Sequence, residues 1–222
     1  MNTFLSQIDD ILRDRRTVQS RSAGAALLWM VGCIAAFGLT YGAVMGAFGG
    51  IWGERLWQAV YSAIKVPLLL LGTSLLACPS FFVLNTLAGL RRDFLRATTA
   101  LMAAQAGVAI VLASLAPLTI VWYASSNDYA AAVCFNGAMF AVACFAGQWL
   151  LRDHYRLLVR SDAKHRWMFW IWLVTYIFVG IQMAWILRPF VGDPNAPVEF
   201  FRQEKWGNAY VVVAQLLYKL VH

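Results

Sequence analysis

Five long runs of apolar residues alternate with short polar segments along the chain. They cover approximately residues 23–48, 67–90, 97–123, 130–151 and 167–187. Each run reaches the ~20 apolar residues that a helix needs to cross the hydrocarbon core of a bilayer. Backbone groups inside that core must bond within their own segment, which favours helices. The pattern therefore predicts an all-α, polytopic transmembrane bundle of five spans.

Three further segments are predicted to lie at the membrane surfaces. Residues 1–22 repeat apolar side chains at helical spacing among charged ones, which is typical of an amphipathic helix on the membrane. Residues 51–65 are too polar to span and carry aromatic side chains suited to the headgroup level. The tail, residues 188–222, begins with a Pro- and Gly-rich stretch and ends in a short apolar helix over 209–221. That last helix is either packed at the membrane face or a sixth, tilted span.

Composition and charge give the expected orientation. Hydrophobic residues make up 61% of the chain and charged residues 13%, against about 25% charged in an average globular protein. Twelve of the 18 Lys and Arg residues lie on one side, before residue 22, within 91–96 and within 152–166. The positive-inside rule then predicts a cytoplasmic N-terminus and an outside C-terminus. Since basic residues mark the ends of apolar runs, the net charge of +7 predicts no nucleic-acid partner.

Glycine recurs at every fourth position in span one, at Gly38, Gly42, Gly46 and Gly50. Such a glycine zipper forms a groove along one helix face, and small residues let helix backbones approach closely in lipid. The row predicts a helix-packing face, and two uses of it stay open at this point. It either receives another span of the same chain or joins two copies into an oligomer.

Small and aromatic residues predict which spans lie inside the bundle. One face of span three and one of span four carry small residues, which favours interior positions. On span four these residues are Cys134, Ala138 and Ala141. Span five is rich in Trp and Phe, which favours a peripheral position facing lipid or a partner.

Reactive groups are scarce in the apolar runs. No ionisable residue falls at mid-membrane depth, which argues against a proton-coupled transporter, a pump or a voltage sensor. The three histidines lie at or outside the interfaces, and the four cysteines lie singly within apolar runs. We therefore expect no catalytic residue, no metal site and no cofactor.

Two sets of polar residues are candidates for structural or binding roles. The first is expected to form an ionic network on the outer face that holds the tail over the bundle: Lys65, Arg188, Asp193 and Glu199. The second consists of amides inside the spans, expected either to bond between helices or to line a polar cavity: Asn85, Gln105, Asn136 and Gln182.

Two segments carry a resemblance to known proteins. KVPLLLLGTSLLACPSFFVLNTLAG (65–89) and LRPFVGDPNAPVEFFR (187–202) are similar to segments of uncharacterised bacterial membrane proteins of this size. With five spans, an inner N-terminus and an outer C-terminus, the chain resembles the Yip family of small membrane proteins. The resemblance implies a non-enzymatic protein of the bacterial inner membrane.

Three functional hypotheses follow. The first is a non-enzymatic membrane scaffold or accessory subunit whose partners are the lipid bilayer and other membrane chains, or a second copy of itself. The alternative is a homo-oligomeric channel assembled through the glycine row. The third is an enzyme acting on lipid at the inner interface through Asp153 and His154.

The orientation can be tested with a reporter enzyme that is active only outside the cytoplasm. Fused after Asn127, between spans three and four, the reporter should be active. Fused after Asp162, between spans four and five, it should be inactive, because the basic residues beside that loop hold it in the cytoplasm. The reverse pair of results would invert the topology.

Overall fold

The computed structural model of the protein describes residues 23–194 and 196–201. Within these ranges the fold is helical, and five helices are long and apolar enough to cross a membrane. The helices are α1 (Ala23–Gly46), α2 (Arg55–Leu87), α3 (Phe94–Ser125), α4 (Tyr129–Ser161) and α5 (Lys164–Leu187). The surface helix expected at residues 1–22 and the apolar helix expected at 209–221 lie outside the described residues.

The five helices run up and down, so their connections gather at two ends of the bundle. The basic end holds the connections 88–93 and 162–163, which are flanked by most of the described Lys and Arg residues. The opposite end, called the cap end here, holds the connections 47–54 and 126–128 together with residues 188–194 and 196–201. In the predicted topology the basic end is cytoplasmic.

The second helix begins earlier than the sequence indicates. A separate surface helix was expected over residues 51–65, but α2 is continuous from Arg55 to Leu87 and contains Pro67 within it. Proline removes one backbone hydrogen bond and usually ends or kinks a helix. Here the ring of Pro67 lies directly against Gly38 of α1, where a Cβ would come within 3.2 Å of the proline ring. Polar residues near the start of α2 are therefore part of the bundle.

The helices form an arc in the order α4, α3, α1, α2, α5. Helix α1 packs against α2 and α3, α3 packs against α4, and α2 packs against α5. The two ends of the arc, α4 and α5, contact each other only sparsely. Half of the residues in the most apolar stretch of α3 are buried, whereas only 11% of the residues in the corresponding stretch of α5 are buried. The expectations of an interior span three and a peripheral span five are confirmed.

The expectation for span four is wrong. Cys134, Ala138 and Ala141, expected to pack inside, are exposed on α4. The buried face instead includes Asn136 and Gly147. A Cβ at Gly147 would clash with the side chain of Val108 on α3, so that glycine sets the contact. Small residues on α4 occur on more than one face, and composition alone does not select the face that packs.

The glycine row of α1 is occupied by α2. Gly38 faces Pro67, Gly42 faces the backbone at Ser62 and Ala63, and a Cβ at Gly46 would lie 2.7 Å from the Cα of Ala59. Gly50 lies beyond the end of α1 with a positive φ of 103° and does not continue the row. Gly38, Gly42 and Gly46 therefore form an intramolecular seam with α2, which is the first of the two uses left open for the row.

The seam predicts opposite effects for two glycine substitutions in α1. Gly42→Ala should lower stability by about 1–3 kcal/mol, because its Cβ meets the α2 backbone and the helices must separate. Gly32→Ala should be neutral or stabilising by up to about 1 kcal/mol, because its Cβ enters open space and alanine favours the helix. Thermal unfolding of both purified variants in detergent gives the comparison, and equal melting temperatures would contradict the seam.

Candidate functional site

Residues 188–194 and 196–201, which follow α5, form a cap over one end of the bundle. This cap is irregular, and the peptide bond between Arg188 and Pro189 is cis. Val191 is buried in the core cluster formed largely by α1 and α3. Backbone carbonyl groups of the cap face the first turns of α2, where three polar side chains donate hydrogen bonds to them.

Lys65 is the most deeply enclosed charged group of this region. Its side chain on α2 is fully buried, with 0% of the residue exposed. The Nζ ammonium donates to the carbonyl oxygen of Pro189 at 2.7 Å and lies 4.9 Å from the centre of the Phe200 ring. A cation over an aromatic face is attracted by the ring quadrupole, more strongly when both are removed from water. Lys65 thus holds two separate parts of the cap.

Ser62 and Gln58 continue this contact along the same face of α2. The Ser62 hydroxyl donates to the carbonyl oxygen of Phe190, and the Gln58 amide donates to the same oxygen at 3.3 Å. Gln58 also donates to the Ser62 hydroxyl at 3.1 Å. The spacing of 58, 62 and 65 puts the three side chains on one helical face. Sequence reasoning missed the first two because it assigned residues 51–65 to the membrane surface.

The expected ionic network is only partly reproduced by the geometry. In the described part of the chain Lys65 contacts a carbonyl group and a ring instead of a carboxylate. The Arg188 guanidinium lies 3.4 Å from the centre of the Trp185 ring. Asp193 and Glu199 line a cleft of about 330 Å³ together with Arg55, which sequence reasoning did not include. The four expected residues thus share one end of the bundle, and two of them, Asp193 and Glu199, line the same cleft.

Asn136 is the centre of a buried polar cluster that joins three helices. Its side-chain oxygen accepts from the Tyr41 hydroxyl at 3.0 Å, and its amide nitrogen donates to the Tyr123 hydroxyl at 2.6 Å. The Tyr123 hydroxyl donates in turn to the carbonyl oxygen of Met45 at 3.1 Å. These bonds link α1, α3 and α4. Because a buried polar group without a partner is costly, each member helps to fix the others.

The other amides lie elsewhere, so the four do not share one cavity. Gln105 accepts from the Tyr176 hydroxyl at 2.9 Å and links α3 with α5. Asn85, near the basic end of α2, donates to the carbonyl oxygen of Phe81 in its own helix. Gln182 is half-buried near the cap end of α5. Asn136 and Gln105 therefore form hydrogen bonds between helices, which is one of the two roles expected for these amides. The four amides do not line one common polar cavity.

The basic end contains a buried histidine and its acidic neighbour. His165 is fully buried, and its Nε2 lies 3.4 Å from Oδ2 of Asp93. The ring of Tyr155 meets the ring of His165 edge-on at 5.8 Å. His154, the other histidine here, contacts the carbonyl oxygen of Leu150 in its own helix at 2.9 Å. His165 thereby connects the start of α5 with the turn before α3.

Comparisons of the chain with protein families, curated proteins and solved structures find no match. The resemblance to the Yip family therefore stays a prediction.

Replacing Lys65 by methionine should loosen the cap locally. Lys65→Met keeps most of the side-chain volume but removes the ammonium that binds Pro189 and Phe200. We expect faster hydrogen exchange of the backbone amides in residues 190–201, measured by mass spectrometry. The free energy of unfolding would not report the loss of this contact clearly, because the substitution also removes the desolvation cost of a buried charge, and the two effects oppose each other.

Lys164→Met is the matched control for this substitution. Lys164 also donates to a backbone carbonyl, that of Ala88 at 3.3 Å, but it is exposed at the basic end. The control should leave exchange in residues 190–201 unchanged. Unchanged exchange in Lys65→Met as well would show that the lysine does not hold the cap.

Proposed function

We propose that this protein is a non-enzymatic integral membrane scaffold or accessory subunit that binds another membrane protein through α5. The observation that carries the proposal is an uninterrupted apolar and aromatic stripe on the outward face of that helix. We further propose the bacterial inner membrane as its location, from the Yip resemblance and the excess of basic residues at one end.

The stripe of α5 has the spacing of a helix-docking face. Val174, Ile177, Phe178 and Ile181 are all exposed and follow the spacing i, i+3, i+4, i+7. Trp167 and Trp170 extend the same stripe toward the basic end. Residues at this spacing project from one side of a helix, as the anchors of helix-in-groove recognition do. Aromatic rings supply large contact areas there at small conformational cost.

The opposite face of α5 is fixed to the bundle. Trp172 is buried and its ring meets that of Phe81 on α2 edge-on at 4.9 Å. The Tyr176 hydroxyl bonds to Gln105 on α3. The stripe is therefore presented by a helix whose rotation and depth are set by the rest of the protein. A presenting surface that is already ordered loses less entropy when it binds.

The polar side chains of the interior favour a structural role over a catalytic one. Lys65 binds the cap, Asn136 joins three helices and Gln105 joins two. Each of these groups is engaged in a contact within the chain. Their arrangement supports a rigid platform with a binding surface on its outside.

Site-specific photo-crosslinking in the cells that naturally make the protein tests this proposal. A benzophenone amino acid at Phe178, which is 59% exposed, should produce a discrete adduct with another protein chain, identified by mass spectrometry. The control position is Leu28 on α1, which is 75% exposed on a different helix. An adduct with a second copy of this chain would identify a self-associating scaffold.

Two outcomes would contradict the proposal. Adducts with lipid alone at position 178 would mean that the stripe faces only the bilayer. The same set of protein adducts at positions 178 and 28 would indicate random collisions in the membrane instead of a docking face.

A further inference from the structure

A groove separates α4 from α5 near the basic end. The two helices meet through Tyr155, whose ring lies 5.8 Å from that of His165 and 5.7 Å from that of Phe169. Beside this contact, residues 145–156 of α4 and residues 169–173 of α5 enclose a groove of about 440 Å³, called the basic groove here. Few contacts join these helices, so the groove is not filled by the protein itself.

The lining of the basic groove changes from apolar to cationic along α4. Phe145 and Trp149 come first, and Arg152 and Arg156 follow toward the basic end, all on one helical face. Trp170 and Leu173 of α5 add apolar surface on the other wall. The lining therefore matches an amphiphile whose apolar part lies toward the membrane centre and whose anionic part lies toward its surface.

The position of the arginines along α4 fits the headgroup level. Helix α4 has 33 residues and is therefore about 50 Å long, well above the ~30 Å of the hydrocarbon core. Its apolar run ends at residue 151, immediately before Arg152. Tryptophan is enriched at the membrane interface, and Trp149 and Trp170 stand at this level of the groove.

The charges of the groove also favour an anionic lipid. Two guanidinium groups, those of Arg152 and Arg156, line it together with one carboxylate, that of Asp153, so the cationic groups outnumber the anionic one. Arginine pairs well with phosphate oxygens, because its planar guanidinium can donate two parallel hydrogen bonds.

We propose that the basic groove binds an anionic glycerophospholipid of the membrane leaflet at the basic end. Its phosphate lies between Arg152 and Arg156, and an acyl chain runs along Phe145 and Leu173. Basic pockets between helices on the cytoplasmic side of membrane proteins are known to hold such headgroups. The proposal concerns a lipid site and does not depend on the partner proposed for α5.

Native mass spectrometry of the full-length protein with added lipid tests the site. The protein in detergent is titrated with phosphatidylglycerol and, separately, with phosphatidylcholine, whose headgroup carries a compensating cation and no hydroxyl group. We expect the first bound lipid to be phosphatidylglycerol. The double variant Arg152→Gln/Arg156→Gln should weaken its binding on the order of 10- to 30-fold, from the loss of two cations near the headgroup.

The matched control is the double variant Arg91→Gln/Arg92→Gln. It removes the same charge from exposed residues at the same end of the bundle, outside the groove. This control should bind phosphatidylglycerol like the unmodified protein. An equal loss in both double variants would overturn the proposal, because it would indicate attraction to the whole basic surface. Equal binding of the two lipids by the unmodified protein would overturn it as well.

A variant that leaves the charge unchanged keeps the test independent of the arginines. Leu173→Trp narrows the groove from the α5 side, and because Leu173 is only half-buried and faces this open space, the larger ring fits into the groove without unfolding the helix. It should reduce the occupancy of the first bound lipid. Full occupancy in this variant, together with unchanged binding in Arg152→Gln/Arg156→Gln, would place the lipid elsewhere.

Discussion

The close contact between α1 and α2 along Gly38, Gly42 and Gly46 is the constraint on which the rest of the structure depends. Within a bilayer, helices gain no hydrophobic free energy by associating, so contact between complementary surfaces must hold them together. The glycines let the two backbones approach, and Pro67 fits against the first of them. This contact sets the rotation and depth of α2. It thereby aims Ser62 and Lys65 at the cap.

Hydrogen bonds between buried side chains then fix the remaining helices relative to this pair. Tyr41 and Tyr123 converge on Asn136, and Tyr176 reaches Gln105. A single bond of this kind contributes only about 0.6 kcal/mol on average in a membrane protein. These bonds instead specify the register of the helices relative to one another, because a helix that slid by one turn would leave several buried groups without partners. The side of the bundle between α4 and α5 has few contacts, and the proposed lipid groove lies there.

The sequence was sufficient to predict the number of long apolar helices, because five apolar runs of membrane length are a property of composition and order alone. It was insufficient for the start of α2, because the polar and aromatic residues 51–65 were assigned to the membrane surface, although most of them belong to the same continuous helix. The face of α4 was also assigned wrongly, since Cys134 and Ala138 are as small as the residues that pack.

The candidate site was predictable in its location but not in its contacts. Charge and proline content placed Lys65 and Arg188 near the tail. The acceptor of Lys65, however, is a backbone carbonyl that every residue possesses, and sequence gives no signal for it. The bond between Tyr41 and Asn136 joins residues 95 positions apart, and nothing local in either segment indicates the other. Pairings of this kind follow from helix packing and become visible only with the fold.

The contact of Lys65 with the cap also has a consequence for the order in which the protein is made. The lysine and its acceptor are 124 residues apart, and α3, α4 and α5 are synthesised between them. Until Pro189 emerges from the ribosome, the ammonium has no carbonyl group of the cap to bind and must keep its water. The cap-end turns of α2 therefore reach their final environment only after α5 and the first residues of the cap have been synthesised.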